Sequence, residues 1–249
     1  MIEFGSPLRK AEGLLGTWVK IPSMETVELL GIAGFDFVVI DLEHAPLNLE
    51  TAFRLIVAAQ AAGMAALVRL SDRSEAQVQR LLDAGADGLL VPHVSTPAMA
   101  ERIAGGMVFA PRGTRGLGAT SRAGGWGLLP LTDYISRGDS ALRMVQLESW
   151  SVLQDAASFL AVEHVSGVFV GLGDLFLSSG RTPADDETRA IVRDVAAAAQ
   201  AAGKACGIAA GSVEEAREYL ALGYSLVMVS NDATLFGKAA QTTVRALRG

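Results

Sequence analysis

The 249-residue chain is predicted to fold as a (β/α)8 barrel, a single α/β domain over 1–249, on three observations. Eight short apolar runs have β character, segments of helical spacing separate most of them, and glycines stand where the helices would end. The strand-like runs cover 15–20, 35–41, 65–70, 88–93, 143–148, 167–171, 204–208 and 226–230. Helical spacing covers 25–33, 49–62, 75–84, 97–105, 152–162, 187–202 and 213–222, and 233–248 closes the chain. Gly63, Gly85, Gly203 and Gly223 follow four of these segments, where a helix exit favours a left-handed residue. One connection breaks the pattern. Residues 107–141 are rich in Gly and Arg, with Pro111-Arg112-Gly113-Thr114-Arg115-Gly116 and Ser121-Arg122-Ala123-Gly124-Gly125-Trp126. A structureless stretch of this length inside a compact domain is expected to be a functional loop.

Composition narrows the function classes. Half of the residues are apolar (50%), enough for a large core. A formal charge of −6 and a pI near 5.1, without basic runs or interleaved aromatics, argue against a nucleic-acid or anionic-membrane partner. Charged or Gly residues interrupt each apolar run before membrane-spanning length, and the N-terminal segment lacks a long apolar core. Cys206, the only cysteine, sits in an apolar stretch and is expected to pack as a small hydrophobe. A cytoplasmic setting is the expectation.

In such barrels catalytic groups sit at the C-terminal ends of the strands. That rule sends Lys20, Asp41, Glu43, His44, Arg69, His93, Glu148, Asp174 and Asn231 to the working rim. It sends Lys204 and His164 to the opposite face, His164 as a surface or capping residue. Glu148 and Asp174 each follow an apolar run, and a carboxylate there is costly without a cationic partner. Two carboxylates suffice for Mg²⁺ or Mn²⁺ when waters and substrate oxygens complete the shell; the alternative is that each pairs with an arginine or caps a helix. Arg69 offers a planar fork to a substrate carboxylate or an oxyanion, or else pairs with Asp41 or Glu43. His44, in Asp41-Leu42-Glu43-His44-Ala45-Pro46, is the better candidate base, and His93 a residue of the pocket wall. Lys20 is the one lysine ending a strand and hence the candidate for a Schiff base, which metal-assisted carbonyl chemistry would make unnecessary.

These residues, together with Gly31-Ile32-Ala33-Gly34-Phe35-Asp36, Val68-Arg69, Leu81-Leu82-Asp83-Ala84-Gly85, Leu90-Val91-Pro92, Arg112-Gly113-Thr114-Arg115-Gly116, Val145-Gln146-Leu147-Glu148 and Val168-Phe169-Val170-Gly171-Leu172-Gly173-Asp174-Leu175, give a pattern that resembles the HpcH/HpaI aldolase family. The resemblance runs from about Gly13 to the C-terminal helix. It implies a TIM barrel of the phosphoenolpyruvate/pyruvate type and a class II aldolase that cleaves 4-hydroxy-2-oxo acids reversibly to pyruvate and an aldehyde. A divalent cation (Mg²⁺, Mn²⁺ or Co²⁺) would sit on Glu148 and Asp174, with His44 as catalytic base, Arg69 and Gln146 at the substrate, and Asp41 behind them. The resemblance further implies that Asp83 comes from a neighbouring subunit to support the histidine, and that backbone N–H groups of Gly171, Leu172 and Gly173 take the pyruvate carboxylate. A homo-hexamer, a trimer of dimers with helix 233–248 packed on a neighbour, is implied as well. Gly171-Leu172-Gly173-Asp174, Lys20 and His93 depart from the commonest family pattern, which bears on the aldehyde pocket. An oxaloacetate decarboxylase or a citramalyl-type acyl lyase is the alternative on the same platform; a noncatalytic binding barrel is the alternative of another class.

Overall fold

The computed structural model describes residues 13–248. Eight strands, β1 (Leu14–Val19), β2 (Phe37–Asp41), β3 (Ala65–Arg69), β4 (Gly88–Val91), β5 (Leu142–Leu147), β6 (Gly167–Val170), β7 (Ala205–Ala210) and β8 (Leu226–Asn231), close in chain order into a barrel. Every pairing is parallel. The helices are α1 (Met24–Ile32), α2 (Leu49–Ala61), α3 (Glu75–Asp83), α4 (Pro97–Gly105), α5 (Leu131–Ser140), α6 (Trp150–Gln154), α7 (Ala156–Ala161), α8 (Leu172–Ser179), α9 (Asp186–Ala201), α10 (Val213–Ala221) and α11 (Asp232–Arg248). The predicted (β/α)8 architecture is the observed one.

Local chemistry explains the alternation. The strands of a barrel are covered on both faces, so β2 reads Phe-Val-Val-Ile-Asp with all five residues buried. Helices following the rim loops start on Ser23, Asn48, Ser74, Thr96 and Ser212, whose side chains accept from the N–H three residues on. The four glycines expected at helix exits all have positive φ. Inside the barrel Phe37, Leu67, Leu90, Met144, Phe169 and Met228 form a separate core. Gly16 makes room for it: a Cβ there would lie 2.3 Å from the Phe37 ring. A larger apolar layer joins the outer faces of the strands to the helices.

Two differences from expectation concern function. Residues 107–141 are not structureless: a 3-10 turn covers Arg122–Gly127 and α5 follows. The segment builds a small core of its own, because the Arg115 guanidinium lies over the Phe109 ring, 4.4 Å from its centroid, beside buried Tyr134. Since it joins α4 to β5, it lies at the N-terminal ends of the strands, opposite the rim, so within its own chain it is not an active-site loop. The second difference is α8, which carries Asp174 in its first turn. Of the surface and capping readings expected for His164, burial removes the surface one.

Candidate active site

The rim is organised by buried Asp41. Asp41 and Arg69 are register partners of β2 and β3, so both leave the sheet at the same level. Arg69 Nε donates to Asp41 Oδ1 at 2.9 Å and Nη2 to Oδ2 at 2.7 Å, while Lys20 Nζ also pairs with Oδ2. The backbone N–H groups of Glu43 and His44 donate to Oδ1, fixing the loop that carries them. Burial alone would raise the Asp41 carboxyl; the hydrogen bonds and charge of Arg69, then Lys20, outweigh it and hold the carboxyl at about 2. The Arg69 guanidinium stacks on Trp18, 4.1 Å from the ring centroid. Its Nη1 lies 3.0 Å from Glu43 Oε2, within ion-pair reach but without hydrogen-bond alignment. Arg69 thus makes both of the structural pairings weighed against its substrate role, with N–H groups left over, since a guanidinium carries five.

Glu148 stands just past β5 and Asp174 in the first turn of α8, after the neighbouring strand β6. Both line one pocket of about 470 Å³, with His93, Val94, Ser95, Ser149, Val152, Leu177 and Ser178. Glu148 Oε2 accepts from the His93 N–H at 3.0 Å, whereas Oε1 is buried without any partner. Burial raises the Glu148 carboxyl above its ordinary value; His93 opposes this, and Asp174 and Glu43 add to it. Gln146, on β5, is buried with its Oε1 unpartnered too. Among the described residues no three His, Cys, Asp or Glu side chains converge as a ready-made cation cage, so Glu148 and Asp174 would share any cation with water or substrate oxygens. An all-oxygen set of this kind suits a hard divalent ion.

Gly171 sits against both polar side chains: a Cβ there would lie 2.9 Å from Glu148 Cγ and 3.2 Å from Gln146 Nε2. Its N–H is already engaged, donating to Leu147 O at 2.9 Å. Of the three amides expected to meet a carboxylate, those of Leu172 and Gly173 open α8 and lack an intrahelical acceptor; that of Gly171 does not qualify.

His44 is more than half exposed, its Nε2 3.5 Å from Glu43 Oε2. Asp83 is not beside it. It ends α3 at the opposite face of the barrel, where Arg115 Nη2 donates to its Oδ1 at 3.0 Å and Tyr134 Oη at 3.4 Å. Two residues matter more than their sequence suggested. Glu43 links Arg69 to His93, and His93 bridges Glu43 and Glu148, its Nε2 2.7 Å from Glu43 Oε1 and its Nδ1 2.8 Å from Glu148 Oε2. The position of His93 after Pro92 at a strand end was visible in the sequence; its two partners were not.

Known proteins share the sequence pattern and the fold that carry this rim. The family model for HpcH/HpaI aldolase/citrate lyase matches residues 14–239. The 4-hydroxy-2-oxo-heptane-1,7-dioate aldolase of Salmonella dublin is 34% identical over 242 residues, 96% of this chain and 91% of that protein. The crystal structure of an HpcH/HpaI aldolase/citrate lyase family protein from Burkholderia cenocepacia J2315 superposes with a TM-score of 0.89 at 31% identity, over 98% of each chain. A citrate lyase beta subunit from M. tuberculosis, complexed with oxaloacetate and magnesium, shares the fold at a TM-score of 0.58 and 18% identity, over 91% of this chain and 95% of that one. The eight-stranded parallel barrel and the match over nearly its whole length show that the chain belongs to the HpcH/HpaI aldolase/citrate lyase family and is a carbon–carbon lyase.

Proposed function

We propose that the chain cleaves 4-hydroxy-2-oxo acids reversibly to pyruvate and an aldehyde, using a divalent cation held by Glu148 and Asp174. The observation that carries this reading is Glu148 Oε1, a buried carboxylate oxygen with no protein partner in a pocket that Asp174 also lines. A buried carboxylate left so is unfavourable unless a cation completes it. When bound there, a divalent ion supplies Lewis acidity and a template for the 2-oxo acid. Mg²⁺ and Mn²⁺ suit the oxygen donors, Co²⁺ is a third choice, and the magnesium-bound relative of the same fold supports the ion class.

The residues divide the remaining work by position. His44, exposed at the rim beside Glu43, takes the proton of the C4 hydroxyl as the C–C bond breaks. Arg69, fixed by Asp41 and Trp18, directs its remaining N–H groups to the negative charge that develops on the pyruvate fragment. Gln146 gives a further polar contact, and the Leu172 and Gly173 amides at the start of α8 receive the substrate carboxylate. Asp83 would support His44 only from a second copy, because its own chain holds it at the opposite face. That assignment belongs with a hexamer, a trimer of dimers, in which exposed Phe236, Val244 and Leu247 of α11 meet a neighbour. A cytoplasmic setting completes the reading. Among the described residues no helix is long and apolar enough to cross a membrane.

The test is pyruvate and aldehyde release from a 4-hydroxy-2-oxo acid by chelator-treated protein before and after Mg²⁺ or Mn²⁺ is restored. Metal-dependent release of both products, lost in Glu148→Gln and Asp174→Asn proteins that still fold, is the expected result. Turnover indifferent to metal, or carbon dioxide in place of aldehyde, would overturn it. Light scattering during size-exclusion chromatography reads the assembly.

A further inference from the structure

His93 is a bulky residue in left-handed backbone conformation, φ 55°, immediately past Pro92 at the end of β4. Such a conformation is uncommon for a side chain other than glycine and marks a position held by its surroundings. The surroundings here are two carboxylates. The His93 N–H donates to Glu148 Oε2 at 3.0 Å, and the ring Nδ1 lies 2.8 Å from the same oxygen. The other ring nitrogen, Nε2, lies 2.7 Å from Glu43 Oε1, and Glu43 continues to Arg69. One oxygen of Glu148 is therefore occupied twice by a single residue, while the other is buried without a partner. Since the β4–β5 register sets Val91 against Val145, the two strand ends deliver His93 and Glu148 side by side.

We propose that His93 is a positioning residue for cation binding: by holding Glu148 Oε2 it leaves Oε1 as the single oxygen that Glu148 presents to a divalent ion. The inference rests on the cation role of Glu148 proposed above. Partners of this kind fix the orientation of a metal-binding side chain, and their removal typically weakens metal affinity ~10–100-fold. The ring also couples Glu148 to Glu43, so the cation side of the pocket and the Arg69 side share one tether. Without the ring, the backbone N–H would be the one hold His93 keeps on Oε2.

The experiment is a Mn²⁺ titration without substrate, followed by the electron paramagnetic resonance signal of the free ion, with thermal unfolding in parallel. His93→Gly keeps the N–H, removes the ring and suits the left-handed backbone; His93→Asn also tolerates that conformation and keeps a donor close to the place of Nδ1. Expected are Mn²⁺ affinity lowered ~10–100-fold in His93→Gly, with an unfolding midpoint equal to wild type or higher, and recovery of most of the affinity in His93→Asn. A merely structural histidine would lower the midpoint and leave affinity alone. Wild-type affinity in His93→Gly, alongside lost binding in Glu148→Gln, overturns the positioning role while the cation reading stands. Undiminished binding in Glu148→Gln overturns the cation reading and this inference together. Affinity in His93→Asn as weak as in His93→Gly removes the Nδ1 contact as its basis.

Discussion

Replacing Gly171 by alanine tests the claim that Glu148 and Gln146 are held at a functional position rather than merely buried. The backbone does not require glycine, for φ is −96° and ψ 82°. The requirement is the close approach: the new Cβ would stand 2.9 Å from Glu148 Cγ, 3.2 Å from Gln146 Nε2 and 3.4 Å from Gln146 Cγ. Glu148 has to retreat by roughly half an ångström to restore ordinary contact, and its tethered Oε2 restricts that movement. Overpacking of this kind costs ~1–3 kcal/mol, offset by ~0.4–1 kcal/mol from the stiffer unfolded chain. The net loss is about 0–2.6 kcal/mol, a fall of up to roughly 10 °C in unfolding midpoint for a domain of this size. The effect on function should be larger, because misplacing a reacting group by ~1 Å can cost ~100-fold; we expect kcat/KM and Mn²⁺ affinity to fall ~10–100-fold. Gly173→Ala is the internal control, as nothing lies within 4 Å of its added Cβ. It should keep the unfolding midpoint and the Mn²⁺ affinity, and any loss in kcat/KM would report on the carboxylate at the α8 amides. Thermal unfolding, Mn²⁺ titration and pyruvate release measure all three quantities. If Gly171→Ala binds Mn²⁺ as wild type does, or Gly173→Ala weakens that binding more, the steric reasoning is wrong.

The remaining predictions concern buried charge. Burial raises Asp87 to about 6 against the Ala66 N–H and Gln60 hydrogen bonds it accepts, so the folded state holds its proton more tightly than the unfolded chain. That raises stability at low pH and removes it as pH climbs from about 4 to about 6. Asp87→Asn should flatten this slope in urea unfolding and stabilise the protein at pH 7 by up to ~3 kcal/mol; an unchanged slope would contradict the assignment. Asp41 behaves oppositely: with its carboxyl held at about 2, its contribution is complete above about 4 and is lost as pH falls towards 2. Asp41→Asn should cost about 3–5 kcal/mol, measured by urea unfolding at pH 7, because Arg69 and Lys20 lose a buried partner. Lys20, paired with Asp41, is not placed as a free nucleophile, so borohydride reduction in the presence of pyruvate should leave no adduct at Lys20 by mass spectrometry.

How far the sequence alone reaches depends on whether a feature is local. The strands were legible because a barrel strand is buried on both faces and therefore apolar along its length, as in β2 and β3 up to their last residues, Asp41 and Arg69. The rim acids were legible because Asp41, Glu148 and Asp174 interrupt or follow such runs where an acid is costly. Helix α8 was not, since glycines flank its first residue, Gly171 as the N-cap and Gly173 in the first turn, and no side chain caps it. Residues 107–141 read as a loop because their core depends on Phe109, Arg115 and Tyr134 meeting across more than one turn. The balance left open for Arg69 needed strand register: Asp41↔Arg69 in β2–β3 makes the pairing unavoidable. His93 is the same case on the other side of the pocket, where β4–β5 register brings together residues 55 positions apart. Register therefore does what residue type cannot: it turns isolated acids, a histidine and an arginine into one connected rim. In that rim Asp41 orders the Arg69 side and His93 the Glu148 side, with Glu43 joining them. A single carboxylate oxygen, Glu148 Oε1, is left buried and open in the pocket it shares with Asp174.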